Sequence, residues 1–196
     1  MNARVGVFGK LPAHGDFVRR GLPPVVTNRL DEWLQSGFGQ SADPSAAIAA
    51  LEPLRFASSA LVDDELALGA MVATRDRVGR DYLVVALRLS AHPSRSLPDA
   101  IPAVWDDWCA RAEALLIAAR EGVWTADTTQ AALESASRAA VIEAIAVAPF
   151  ALSADAPPTT ASWRPTLGPA VTWFDRSGAL PAGSTFDQFL AAAESD

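Results

Sequence analysis

Near the start of the chain, His14 and Asp16 stand two residues apart in a stretch crowded with glycine and proline. An imidazole beside a carboxylate can move protons, so this pair is the first candidate for acid–base chemistry. It also has a plainer use, with His14 exposed and Asp16 capping a turn or pairing with Arg19 or Arg20. Just upstream, Phe8-Gly9-Lys10-Leu11 sets Gly-Lys after a strand-like run, as a phosphate loop does. That motif needs a glycine five residues before its Gly-Lys and a hydroxyl residue after it. Arg4 and Leu11 occupy those places, so the phosphate-loop assignment fails. Asp63-Asp64-Glu65 gathers three carboxylates in a turn, a pattern that is normally solvated. Cys109, between Trp108 and Ala110, lies beside an apolar stripe and reads as a buried, inert thiol. In Asp76-Arg77-Val78-Gly79-Arg80 the two planar guanidinium forks suit either a carboxylate clamp or local ion pairs with Asp76 and Asp81.

Other chemistries are excluded by composition. A structural zinc site needs about four Cys, His or carboxylate ligands at suitable spacing, and this chain has one cysteine and two histidines. No G-x-S-x-G elbow is present, so the commonest serine-hydrolase signature is missing. The expectation is therefore no catalytic residue, no metal and no cofactor. The net charge is −7 over 196 residues. Residues 1–98 carry 11 basic and 10 acidic residues, whereas residues 99–196 carry 5 and 13. An acidic half opposes a nucleic-acid partner, which would require a coherent basic face. A lone cysteine makes no internal disulfide and fits a reducing compartment. No window holds 18 consecutive apolar residues, and no signal peptide precedes the first strand, so a cytoplasmic protein without membrane insertion is expected.

The elements that must hold these residues follow from periodicity. Arg4–Phe8 reads as a strand ended by Gly9, and Lys10–Arg20 as a loop. After Pro23-Pro24, Val26, Leu30, Trp33, Leu34 and Phe38 recur at helical spacing until Gly37 and Gly39. A small alanine-rich helix follows Asp43-Pro44. Leu54–Leu61, Leu66–Thr74 and Tyr82–Leu89 read as strands, the last two joined by a hairpin in which Gly79 is available for a positive φ. Asp99 is expected to cap a helix with Pro102 in its first turn and a stripe that includes Trp105, Trp108, Leu116 and Ala119. Asp127 with Gln130 resembles a capping box opening a helix through Ile145. Ser153–Ala161 reads as a loop, Val171–Phe174 as a strand, and Ser184 as the cap of a last helix. The whole is expected to be one domain, 1–196, of α+β class. It should hold a mainly antiparallel sheet of about five strands with helices on both faces.

Gly9–Pro23 follows the pattern G-K-L-P-x-x-G-D-F-V-x-R-G-L-P nearly throughout, with His14 in a variable place. Leu30-Asp31-Glu32-Trp33-Leu34 loosely matches a W-D-x-W-L helix, Leu54-Arg55-Phe56 a W-R-F strand, and Asp76–Arg80 an intact D-R-V-G-R turn. In these segments the chain resembles the TagF family of type VI secretion-associated proteins. It departs from the family at Ala73-Thr74-Arg75, at Tyr82-Leu83 and at Ser162-Trp163-Arg164, where P-S-V, phenylalanine-proline and S-x-W-W are usual. The resemblance implies a cytoplasmic accessory protein with no enzymatic activity. Such a protein post-translationally represses secretion by binding a forkhead-associated scaffold protein. Some relatives are fused to a phosphatase, for which these 196 residues leave no room.

Two arrangements are expected of the structure. Arg4–Phe8 and Tyr82–Leu89 should be inner strands, which would bring loop Lys10–Gly21 and turn Asp76–Arg80 together. Lys10, His14, Asp16, Arg19, Arg20, Arg77 and Arg80 would then contribute to one partner-docking surface, fixed charges on a constrained loop being suited to recognition. The rival assignment is that Asp16 and the arginines pair with one another and only hold the loop. An assembly component of the secretion machinery, and an enzyme using His14 and Asp16, stand as the competing functions.

Overall fold

In the computed structural model, which describes residues 3–63, 65–91, 102–144, 160–163, 173–175 and 179–190, the first apolar run forms β1 (Arg4–Gly9). Antiparallel neighbours flank it, β2 (Val18–Arg20) on one side and β5 (Asp81–Ala91) on the other. β5 pairs along its whole length with β4 (Glu65–Arg75), and β4 pairs with β3 (Leu54–Ser58). Two short strands complete the sheet, β6 (Thr160–Trp163) and β7 (Trp173–Asp175). The order is β2-β1-β5-β4-β3-β6-β7, with every pair antiparallel. The seven strands exceed the expected five because β2 and β6 are hidden by their length. Runs of three and four residues are too short to display alternation.

Strand periodicity divides the side chains between two faces. Val5, Val7, Ala70, Val84 and Ala86 point to one core, under α3 (Ala103–Glu121) and α4 (Ala126–Ala144). Phe8, Phe56, Met71, Leu83, Val85 and Leu87 point to the other. That second face is covered by α1 (Pro24–Phe38), α2 (Pro44–Ala49) and α5 (Ser184–Leu190). The architecture is α+β, with helices on both faces. Trp33 anchors the second core, its indole N–H donating to Pro181 O at 2.8 Å while its ring meets Phe186 and Phe189 edge-on. On the first face Arg55 donates to Asp106 at 2.8 Å and to Glu113 at 2.9 Å, tying β3 to α3.

Several boundaries differ from expectation for identifiable reasons. β3 stops at Ser58, whose hydroxyl accepts the Ala60 N–H at 3.1 Å and turns the chain before Leu61. Pro102 is the N-cap of α3 in extended conformation, not a first-turn residue; Asp99 lies outside the described residues. The Asp127–Gln130 capping box does not form. Thr125 caps α4 instead, accepting the Thr128 N–H at 3.2 Å, while Gln130 donates to Val5 O and Glu134. Ile145 lies outside the described residues, as do residues 153–159 of the expected loop and Val171 and Thr172 of the expected strand; Thr160 and Ala161 belong to β6. Ser184 is the first helical residue of α5, and the Thr185 hydroxyl takes the Ala182 N–H. Trp108 is fully buried as expected, whereas Trp105 is only partly buried. Cys109 is buried and free, and burial pushes its thiol well above the ordinary range.

Candidate functional site

Because β1 and β5 are central neighbours, the loop leaving β1 and the turn entering β5 meet at one end of the sheet. The turn is organised by Asp76, whose side chain is fully buried. One carboxylate oxygen accepts the backbone N–H groups of Val78 at 3.0 Å and Arg80 at 2.9 Å. The other accepts the Arg80 Nε at 2.7 Å and lies 3.1 Å from the Lys10 ammonium. Burial pushes this carboxyl up, but the hydrogen bonds from Arg80, Lys10 and Val78 outweigh it and hold it far below the usual carboxylate range. Gly79 takes a φ of +89°, as its place in the turn anticipates.

The loop is fastened to that turn at three points. Arg77 N–H donates to His14 O at 3.0 Å, the Arg80 guanidinium donates to Gly15 O, and Lys10 reaches Asp76. Lys10 is itself almost entirely buried, its ammonium lying over the rings of Phe17 at 5.5 Å and Tyr82 at 5.7 Å. Phe17 stacks on Phe8 and meets Tyr82 edge-on at 4.8 Å, so the loop's aromatic anchor closes over the lysine. Burial, and then Asp31 beside the Tyr82 hydroxyl, push that phenol up.

His14 is occupied on its other side. Its Nε2 accepts the Ala126 N–H at 3.0 Å, so the imidazole satisfies an orphan donor in the first turn of α4. An acceptor at Nε2 must be unprotonated there, which places the ring proton on Nδ1. His14 and Asp16 are not hydrogen-bonded to each other, so the spacing that suggested a proton-transfer pair creates none. Among the described residues, no group of three or more His, Cys, Asp or Glu is arranged to hold a metal ion.

Of the seven predicted contact residues, the structure groups five and separates two. Lys10, His14, Asp16, Arg77 and Arg80 belong to the loop–turn corner. Arg19 and Arg20 are consecutive on β2 and therefore leave opposite faces of the sheet. Arg19 turns toward α1, donating to Asp31 at 3.4 Å and to Asn28 at 3.5 Å. Arg20 turns toward α4, donating to Asp127 at 2.8 Å. Arg80 pairs with Asp76, as the local ion-pair alternative for the turn has it, and Lys10 reaches the same carboxylate, whereas Asp16 pairs with none of the arginines among the described residues. Asp16 and Arg77 are different: both are exposed, and neither side chain has a hydrogen-bonding or ionic partner among the described residues. Sequence reasoning missed Asp76 as the organising group. The only available signal was its place before Gly79 in a turn, where a carboxylate can collect successive N–H groups.

A family model for the TagF N-terminal domain, described as type VI secretion system-associated, matches residues 6–136. The match contains the whole loop–turn corner, α1, and the start of α4. The chain is also similar to the crystal structure of PA0076 from Pseudomonas aeruginosa PAO1, with a TM-score of 0.65 and 22% identity. That alignment covers 98% of this chain and 96% of the other, and at that identity it shows the fold alone. No curated protein sequence matches the chain.

Proposed function

The chain belongs to the TagF N-terminal domain family of type VI secretion-associated proteins, and from that premise we propose that it is a cytoplasmic regulator that represses secretion post-translationally by binding a forkhead-associated scaffold protein. The observation that carries this reading is the unequal use of charge at the loop–turn corner. Asp76, Lys10, Arg80 and His14 are consumed in holding the backbone, while Asp16 and Arg77 remain displayed on it. A rigid loop that presents unpaired charges loses little conformational entropy on binding. A catalytic reading gains no support, because the imidazole lone pair of His14 is directed at a helix terminus instead of a reactant. No helix among the described residues is long and apolar enough to cross a membrane, which is compatible with action in the cytoplasm.

The test is genetic and biochemical together. Deleting the gene should raise type VI effector release, and wild-type protein supplied in trans should lower it again. Purified wild-type protein should bind the purified scaffold directly. Unchanged release in the deletion strain would contradict the repressor role. Repression without scaffold binding would contradict the partner, and lower release in the deletion strain would favour an assembly component of the machinery.

A further inference from the structure

Three connections share the corner end of the sheet: the loop after β1, the β4–β5 turn, and the α3–α4 turn. His14 joins them, since its carbonyl takes the Arg77 N–H and its ring takes the Ala126 N–H. Arg120, in the last turn of α3, also reaches Ala73 O on β4. The α3–α4 turn contains Val123, which has a φ of +52° and is the one non-glycine residue with positive φ among the described residues. A β-branched side chain in the left-handed region is a genuine outlier. The local cause is legible. Trp124 N–H donates to Ala119 O at 3.0 Å, closing a Schellman turn that demands a left-handed residue at position 123. Gly122 sits one place too early to supply it. A Cβ on Gly122 would lie 2.7 Å from the Trp124 indole nitrogen, so that glycine is required for close approach. Valine therefore bears the strain at 123, and its side chain is 54% exposed, gaining nothing from the core.

The same end exposes Val78 at the tip of the β4–β5 turn, 64% accessible. Beside it the neighbouring cations Lys10, Arg75, Arg80 and Arg120 each have a carboxylate partner. Arg77 and Asp16 have none among the described residues. The Arg77 guanidinium lies over the loop at the residue before Asp16, since a Cβ on Gly15 would lie 3.7 Å from it. An apolar pair with one free base and one free acid does not suit nucleic acid or an anionic membrane, which would meet repulsion from Asp16 in a chain of net charge −7. It suits a protein segment.

We infer that this end of the molecule, which displays Val78, Val123, Asp16 and Arg77, is the docking surface for a protein partner. That partner presents an apolar side chain together with an acidic group, taken by Arg77, and a basic group, taken by Asp16. The inference rests on the regulator reading for the partner's identity but not for the surface itself. The turn dictates the left-handed backbone, and an exposed valine where glycine would be unstrained fits a contact residue, since backbone outliers collect at recognition sites.

In-cell photocrosslinking from single positions tests it, using Val78→p-benzoylphenylalanine and, as control, Ser135→p-benzoylphenylalanine in the open groove between α3 and α4. The expected result is a discrete adduct from position 78 and none from position 135. The crosslinked peptide of the adduct should carry an apolar residue together with an acid and a base. Adding Val123→Gly should keep or raise the melting temperature, because glycine accepts the backbone that valine strains, and should lower adduct yield about tenfold or more. Adding Arg77→Glu should lower yield comparably without changing melting. An adduct with a protein other than the forkhead-associated scaffold contradicts the partner named above, and overturns the surface as well unless its yield falls with both Val123→Gly and Arg77→Glu. An adduct between two copies of this chain, one from position 135 alone, or none at all overturns the inference. So does a Val123→Gly protein that crosslinks at full yield.

Discussion

At the scale of single residues, one carboxylate accounts for more of the site than any basic residue does. Asp76 is buried, accepts four hydrogen bonds or ionic contacts, and links the β4–β5 turn to Lys10 of the loop. Its carboxyl is held below its ordinary value of 3.8 in the folded protein. The stability it contributes is therefore present above that value and lost as the pH falls from it toward the lower folded value. We predict that the melting temperature of the wild type declines as the pH falls below about 4. Asp76→Asn should melt lower at neutral pH and show a flatter decline in acid. Equal acid limbs in the two proteins would contradict the assignment. The buried thiol makes the opposite prediction: burial keeps Cys109 protonated, so Cys109→Ser should leave repression intact. Loss of repression by a folded Cys109→Ser protein would reveal redox control. Trp108 is completely buried, and Trp108→Ala should cost about 3–5 kcal/mol in chemical denaturation.

The decisive element-scale feature is how loops are joined to helices, and this was the least legible part of the sequence. Long strands announced themselves. β1 and β5 were readable as inner strands because they are apolar on both faces, and that alone implied that loop and turn would meet. β2 and β6 were not readable, being shorter than the window in which alternation appears. Helix starts failed differently. Asp127 has the right residue type for a cap, but a long-range partner, Arg20, claims it, and Thr125 does the capping. The contribution of His14 to α4 comes from 112 residues away and has no local signal. His14→Ala should lose that bond and destabilise the protein by about 1 kcal/mol, within the range for helix caps. In a domain of this size that is a fall of roughly 2–4 °C in melting temperature. An unchanged melting temperature would mean that water replaces the imidazole without penalty.

For the whole molecule, the sheet divides the predicted contact residues between its end and its two faces. The motif that identified the family is contiguous in sequence, from Gly9 to Pro23, yet its charges serve separate places. Lys10 and His14 are structural, Asp16 is displayed at the corner, and Arg19 and Arg20 diverge toward α1 and α4. Exposed pairs such as Arg19–Asp31 and Arg20–Asp127 contribute roughly 0–1 kcal/mol each. The Arg19→Glu, Arg20→Glu protein should therefore melt within a few degrees of wild type. Its scaffold affinity should change far less than that of corner variants. A folded double variant that no longer binds would return these two arginines to the contact surface.

The most direct measurement is isothermal titration of the purified forkhead-associated scaffold protein with the wild type and with Asp16→Lys, Arg77→Glu. Both substituted side chains are exposed and have no hydrogen-bonding or ionic partner among the described residues, so the double variant should match wild type in circular dichroism and melting temperature. The account predicts that the wild type binds and that the double variant binds at least about tenfold more weakly. A double variant that is folded and retains wild-type affinity would contradict the central claim.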